Sequence, residues 1–280
     1  MGPYTDGTSS FTQYLEMHAP ELLPDFTGDG AGLELEHGTT IVSATYDDGV
    51  VIAGDRRATM ASMIAKRDVR KVFRTDDYSA AGVAGTWSVA VELIRLFAVE
   101  LEHFEKLEGR PLSLAGKANR LGAMVRGNLG AAMQGLVAVP LFVGYDEDAG
   151  RGRIFSYDPA GGPSEERQFY SIGSGSVFAR GSLKKLYTEN MPVRDAVLAC
   201  VQALYDAADD DSATGGPDLT RQIFPVIATV TADGFAWVPD EEAEQYARTV
   251  VDERLNSPDG PRASLALPRR LTLWRRNPAQ

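Results

Sequence analysis

Thr39, Asp55 and Lys71 bring a hydroxyl, a carboxylate and an ammonium into the first quarter of the chain. Together they have the types needed for nucleophilic catalysis that uses no histidine. Thr39 lies in Gly38-Thr39-Thr40, where an acidic leader gives way to β-branched, alternating sequence. If the bond after Gly38 is cut, Thr39 gains an α-amine beside its own hydroxyl. Such an amine titrates at about 7.7–8.0 and can accept a proton near neutrality, whereas an internal amide cannot. A small turn before a strand would leave the same three residues, so this segment alone does not decide between the two readings.

Asp55 follows an apolar strand in Gly54-Asp55-Arg56-Arg57, and Lys71 stands sixteen residues further on in a charged stretch, Arg67–Lys71. Both fit a solvated strand end. Both also fit a partly buried pair whose ammonium eases deprotonation of a nearby hydroxyl through its charge. Gly82-Val83-Ala84-Gly85 and Gly173-Ser174-Gly175-Ser176 are glycine-containing turns leading into helices. Each fits close packing, and each fits an exposed N–H at a helix start that would meet a developing oxyanion. Asp209-Asp210-Asp211 with Thr214-Gly215-Gly216 reads as an acidic loop after a helix, without the ligand spacing of a calcium loop. Cys200 lies among Val197, Leu198, Val201 and Leu204 and is expected in the core, and His103 on a helix surface.

Composition narrows the classes. Lys and Arg number 28 against 39 Asp and Glu, which argues against a nucleic-acid partner. One cysteine excludes an intramolecular disulfide and multi-thiolate zinc, and it fits a reducing, cytoplasmic setting. Three histidines leave little room for a histidine triad or a multi-histidine metal centre, and no cofactor is expected. No secretory signal and no membrane-spanning run is apparent.

These residues need a frame that brings positions far apart in sequence together. Residues 1–38 hold seven acidic residues and no Lys or Arg, and read as a flexible leader docking in places through Phe11, Leu15, Leu22 and Phe26. Strands are expected at Thr40–Tyr46, Val50–Gly54, Ser62–Ala65, Val69–Arg74 and Tyr78–Val83. Helices follow at Ser88–Leu107 and Ser113–Gln134, then strands at Leu136–Tyr145, Gly152–Tyr157 and Arg167–Ser171. Helices at Gly173–Leu186 and Val193–Ala208, a hairpin over Phe224–Val238 and a helix at Glu241–Leu255 complete the order. This order predicts one α+β domain, residues 39–255, built as a four-layer αββα sandwich of two antiparallel sheets between helix pairs. Residues 254–280 are Pro-rich with six Arg against Asp259. They read either as a solvated tail or as one lying along an acidic neighbouring subunit.

The chain resembles the β-type subunits of 20S proteasomes, most closely the actinobacterial kind, over about Thr39–Leu255. The resemblance is carried by Gly38-Thr39-Thr40-Ile41-Val42, Gly54-Asp55-Arg56-Arg57-Ala58-Thr59, Lys71, the turns at Gly82–Gly85 and Gly173–Ser176, and Asp211 with Thr214-Gly215-Gly216. It implies an N-terminal-nucleophile hydrolase in which Thr39 is nucleophile and, through its freed amine, proton acceptor. It further implies that Asp55 and Lys71 activate Thr39, that the Gly85 N–H forms the oxyanion hole, and that Ser174, Asp211 and Thr214 support the threonine amine. Thr214 stands where the family usually has serine, with the hydroxyl kept. Thr59 and Gly85 would bind the peptide as an added strand, and Ala58, Val69 and Val83 would shape an uncharged pocket favouring cleavage after hydrophobic residues.

The resemblance also implies autocatalytic removal of 1–38 between Gly38 and Thr39. Heptameric β rings would stack within an α7β7β7α7 particle capped by α-type subunits. Unfolded or small-protein-tagged substrates would be fed to the particle by an ATPase ring. A non-catalytic β-type subunit and an amidase of the same fold class are the alternatives.

Overall fold

The computed structural model describes residues 38–60 and 63–261. The expected leader before Gly38, the tail beyond Pro261 and Ser62, the first residue of one expected strand, lie outside the described residues.

β1 (Thr40–Tyr46) is flanked on both sides by other strands of its sheet, and its side chains alternate between two cores. Val42, Ala44 and Tyr46 face one apolar cluster and Ile41 another. β2 (Gly49–Gly54) repeats the pattern, with Val51 and Ala53 on one side and Val50 and Ile52 on the other. A strand covered on both faces reads as a nearly continuous apolar run, which accounts for the sequences TIVSATY and GVVIAG.

After the two-stranded hairpin of β3 (Ala58–Met60) and β4 (Met63–Lys66), a second sheet begins with β5 (Val72–Asp76) and β6 (Ser79–Gly85). It is completed by β7 (Ala138–Asp146), β8 (Arg151–Tyr157) and β9 (Pro163–Glu166), in the order β5-β6-β7-β8-β9. The first sheet has the order β10-β1-β2-β11-β12, with β10 at Phe169–Gly173, β11 at Val226–Thr231 and β12 at Gly234–Trp237. Every pairing is antiparallel.

Three apolar clusters define four layers. Ile52, Leu141, Ile154 and Val230 lie between the sheets. Ile94 and Phe97 of α1 (Trp87–Glu108) and Leu121 of α2 (Leu114–Gly127) cover the second sheet around Phe142. Leu183 of α4 (Ser176–Leu186), Cys200 of α5 (Val193–Asp210) and Val250 of α6 (Asp240–Asn256) cover the first. This is the expected αββα sandwich. Among the described residues no helix is long and apolar enough to cross a membrane.

Several boundaries move. The long second helix ends at Gly127 and a separate turn, α3 (Leu129–Ala132), follows Asn128, because Gly127, Gly130 and Gly135 weaken helix propagation there. β5 begins at Val72, not Val69, so Lys71 sits just ahead of the strand. The fourth helix begins at Ser176, with Gly173 as the last residue of β10 and only Ser174 and Gly175 as the turn between them. Asp209 and Asp210 belong to the last turn of α5 and only Asp211 caps it, correcting the reading of all three as loop. Two strands were not anticipated. β9 carries Pro-Ser-Glu-Glu on a sheet edge, where no apolar face is required, and β3 is three residues long.

Candidate active site

Register assembles the site. β1 and β2 pair with Ile41 opposite Gly54, so the residues just outside the pair, Thr40 and Asp55, exchange bonds. The Asp55 N–H donates to Thr40 O at 3.1 Å, and the Thr40 N–H donates to Asp55 Oδ1 at 2.8 Å. Lys71 arrives from the other sheet, at the mouth of β5, and Asp55 and Lys71 are each 1% exposed.

The polar groups of this pair are fully matched. A carboxylate offers about four acceptor positions, and Asp55 fills two on each oxygen. Oδ1 takes Thr40 N and Lys71 Nζ at 2.8 and 2.7 Å, and Oδ2 takes the N–H groups of Arg57 and Gly215 at 2.9 and 2.8 Å. An ammonium has three donors, and Lys71 directs them to Asp55 Oδ1, to Arg57 O and to Gly38 O, the last at 2.8 Å. Burial pushes the Lys71 ammonium down from its ordinary value, against the opposing pull of the Asp55 charge.

Thr39 is 5% exposed, and its hydroxyl donates to the same Gly38 oxygen at 2.6 Å. Gly38 adopts φ +91°, and a Cβ there would run into Thr59 Oγ1 and Ala213 O. Gly173, at φ +98°, lies so close to the Thr39 carbonyl that no side chain fits between them. Beyond it the Ser174 N–H donates to Thr39 O at 2.9 Å.

A second network braces this turn. Ser174 Oγ and Thr214 Oγ1 both donate to Asp211 Oδ2 at 2.6 Å, and the Ala213 N–H donates to Oδ1 at 3.1 Å. Since Thr214 spends its proton on Asp211, Thr40 Oγ1 donates to Thr214 Oγ1 at 2.6 Å and accepts the Gly175 N–H at 3.0 Å. Burial by itself would raise the Asp211 carboxyl. The hydroxyls of Ser174 and Thr214, the Ala213 N–H and the Lys71 charge outweigh it and hold the carboxyl below the usual carboxylate range.

The structure thus brings Thr39, Asp55 and Lys71 into one cluster and Ser174, Asp211 and Thr214 into a second that meets Thr39 at its carbonyl oxygen. Gly85 ends β6. Its φ is +104°, and two residues before it the Val83 N–H donates to Lys71 O at 3.0 Å. Val83 is buried in the cluster with Ala90 and Phe97 under α1, while Ala58 and Val69 are 3% and 5% exposed. The Val69 N–H donates to Arg56 O at 2.9 Å. His103 is exposed on α1 and Cys200 is fully buried, its thiol pushed up to about 12 by desolvation.

Three residues of the site were not singled out beforehand. Arg57 serves through its backbone and also anchors the Asp211 loop, its guanidinium donating to Ser212 O and Thr214 O at 3.0 Å. Gly215 donates to Asp55, and Thr40 joins the two networks. All three stand inside the motifs that carry the resemblance, without a role of their own there.

Comparison with known proteins places this geometry in context. A family model described as Proteasome subunit matches residues 35–218. The proteasome subunit beta of Streptosporangium roseum is 60% identical over 262 residues, covering 92% of this chain and 93% of that protein. Those of Streptomyces griseus and Frankia alni are each 57% identical, covering 93% and 91% of this chain and 94% of either relative.

Proposed function

Because the chain belongs to the proteasome subunit family, as a β-type core subunit of the actinobacterial kind with an N-terminal-nucleophile hydrolase fold, we propose that it is a threonine endopeptidase whose nucleophile is Thr39. The observation carrying this reading is the convergence of Thr39 Oγ1 and Lys71 Nζ on the carbonyl oxygen of Gly38, with Lys71 held by Asp55.

In the uncut chain Thr39 Oγ attacks the Gly38 carbonyl carbon. The Lys71 ammonium stabilises the charge developing on the oxygen it already contacts. The Oγ proton passes to the Thr39 nitrogen, the amide C–N bond breaks, and an ester to Oγ remains. Water hydrolyses that ester, the leader departs as a carboxylic acid ending in Gly38, and Thr39 is left with a free amine.

In turnover a substrate carbonyl takes the place of the Gly38 carbonyl. The Thr39 amine accepts the Oγ proton, directly or through water, as Oγ adds to the carbonyl carbon, and the Gly85 N–H meets the oxyanion. The proton then goes to the leaving amine, and water releases the acyl group from Oγ. Asp55 keeps Lys71 charged in its buried position. Ser174, Asp211 and Thr214 hold Thr39 by its carbonyl and shape the surroundings of the new amine.

Thr59 and Gly85 would pair with an extended peptide, and Ala58, Val69 and Val83 offer uncharged surface for the residue before the cut, which favours hydrophobic side chains. Residues 1–38 are the propeptide and 39–255 the catalytic domain in this reading. It includes β7 rings within an α7β7β7α7 particle with α-type subunits, an ATPase ring activator, cytoplasmic location, and unfolded or tagged protein substrates. Co-assembly with α-type subunits, comparing the chain with Thr39→Ala on a fluorogenic peptide with a hydrophobic residue before the cut, tests the proposal. Cleavage is expected to vanish in Thr39→Ala, and appreciable turnover by a homogeneous mutant particle would overturn it.

A further inference from the structure

Cutting after Gly38 turns Thr39 from a residue held on both sides into a chain terminus, and a terminus is poorly ordered unless something ties it down. In the uncut chain the Gly38 oxygen takes bonds from Lys71 Nζ and from Thr39 Oγ1. Those bonds leave with the leader. Among the described residues, the bonds then left on the Thr39 backbone come from the Ser174 N–H and hydroxyl, at 2.9 and 3.4 Å from its carbonyl oxygen. The next anchor is Thr40, which is fully buried and bonded through its N–H, its carbonyl and its hydroxyl.

The hydroxyl is the part that strand packing does not call for. Thr40 shares a strand face with Val42 and Ala44, which lie in the apolar cluster under α4 and α5. A valine there would have the same shape and bury no polar atom. Instead Thr40 Oγ1 accepts the Gly175 N–H at 3.0 Å and donates to Thr214 Oγ1 at 2.6 Å. A Cβ on residue 175 would stand 2.6 Å from one of these hydroxyl oxygens and 2.7 Å from the other, so glycine lets the turn close over the pair. The bonds run one way, from the Gly175 N–H through Thr40 and Thr214 to Asp211 Oδ2. With a donor on one side and an acceptor on the other, the Thr40 hydroxyl has one orientation.

We propose that Thr40 is a positioning residue for the mature nucleophile, a reading that rests on Thr39 being that nucleophile. Its hydroxyl pins the Ser174-Gly175 turn to the start of β1, and its N–H pins the same residue to Asp55. Thr39 thereby keeps its place against Ser174 after Gly38 has gone. The precursor has Gly38 as a second hold on Thr39 and the mature chain does not. Self-cleavage therefore tolerates loss of the Thr40 hydroxyl better than turnover does.

Thr40→Val and Thr40→Ala keep the backbone bonds and remove the hydroxyl, and Thr40→Ser keeps it. Each variant is assembled with α-type subunits and compared with the unsubstituted particle on a fluorogenic peptide with a hydrophobic residue before the cut. Both hydroxyl-free variants should give a chain beginning at Thr39 by intact mass, with kcat lowered on the order of 10- to 100-fold and KM little changed, as for a slight misplacement of a reacting group. Thr40→Ser should recover most of the loss. Combining Thr40→Val with Thr214→Val should cost less than the product of the two single effects, because both break one chain of bonds. Turnover at the unsubstituted level, a loss residing in KM, no recovery in Thr40→Ser, or effects that multiply in the double variant would overturn the proposal. So would chains left uncut, or failure of both hydroxyl-free variants to assemble, either of which makes Thr40 a folding residue. Turnover that survives Thr39→Ala would instead sink the reading of Thr39 itself, whatever Thr40 does.

Discussion

Lys71 Nζ lies 2.8 Å from the carbonyl oxygen of Gly38, although the two residues come from opposite sheets of the sandwich. The ammonium is 1% exposed and has no spare donor, since its other two bonds go to Asp55 and Arg57. A buried cation on a peptide carbonyl, with a hydroxyl 2.6 Å from the same oxygen, polarises the one bond whose breaking would give Thr39 its amine. The precursor and the mature enzyme would therefore use the same charge at successive steps.

Gly38→Ala should block maturation. The residue needs φ +91° and has Thr59 and Ala213 against the position a Cβ would take, so alanine displaces the carbonyl from Lys71. A misplacement of about 1 Å at a reacting group can cost on the order of 100-fold in rate. Uncut chain should accumulate by intact mass, while a chain produced with Thr39 as its first residue should cleave peptides at the unmodified rate. Normal processing of Gly38→Ala would contradict the role given to this carbonyl.

Asp55→Asn and Lys71→Met should both abolish peptide cleavage but differ in stability. Removing the carboxylate strands a buried ammonium and disturbs three backbone N–H bonds, a loss of about 3–5 kcal/mol. Removing the ammonium leaves Asp55 with those three N–H donors, so the loss should be smaller. Urea unfolding of the two variants gives the ranking, and a less stable Lys71→Met would contradict it.

Asp211 predicts a pH dependence. Its folded carboxyl titrates below the unfolded value of about 3.9, so its stabilising contribution is fully present above that value and is lost as pH falls through the lowered folded one. The stability gap between the chain and Asp211→Asn should be constant near neutrality and close in acid. Ser174→Ala removes the leading hydroxyl donor and should move that closure to higher pH. A gap that widens on acidification would reverse the sign and contradict the assignment.

How much of this was legible in sequence depended on range. The β-branched and apolar residues of TIVSATY and GVVIAG, and the apolar face through Ile94, Phe97 and Leu101, were enough for layers and element order. The edge strand at Pro163–Glu166 carried no apolar signal because it has no core face to fill. The helix boundary at Asp209–Asp210 was obscured because acidic residues oppose the helix dipole at a C-terminus and so read as loop. Thr39, Asp55 and Lys71 were identifiable by type and by resemblance. The backbone contributions of Arg57 and Gly215 were not, since every residue has an N–H and only the register of β1 against β2 decides where these point.

The most direct test combines the two functions assigned to Thr39. A peptide epoxyketone closes a stable ring only with a hydroxyl and a free amine on the same residue. Intact mass and peptide mapping of the particle assembled with α-type subunits, after exposure to this reagent, should give a chain beginning at Thr39 with the adduct on Thr39. A particle that cleaves peptides while its chain still carries Gly38, or whose adduct sits on another residue, would contradict the account.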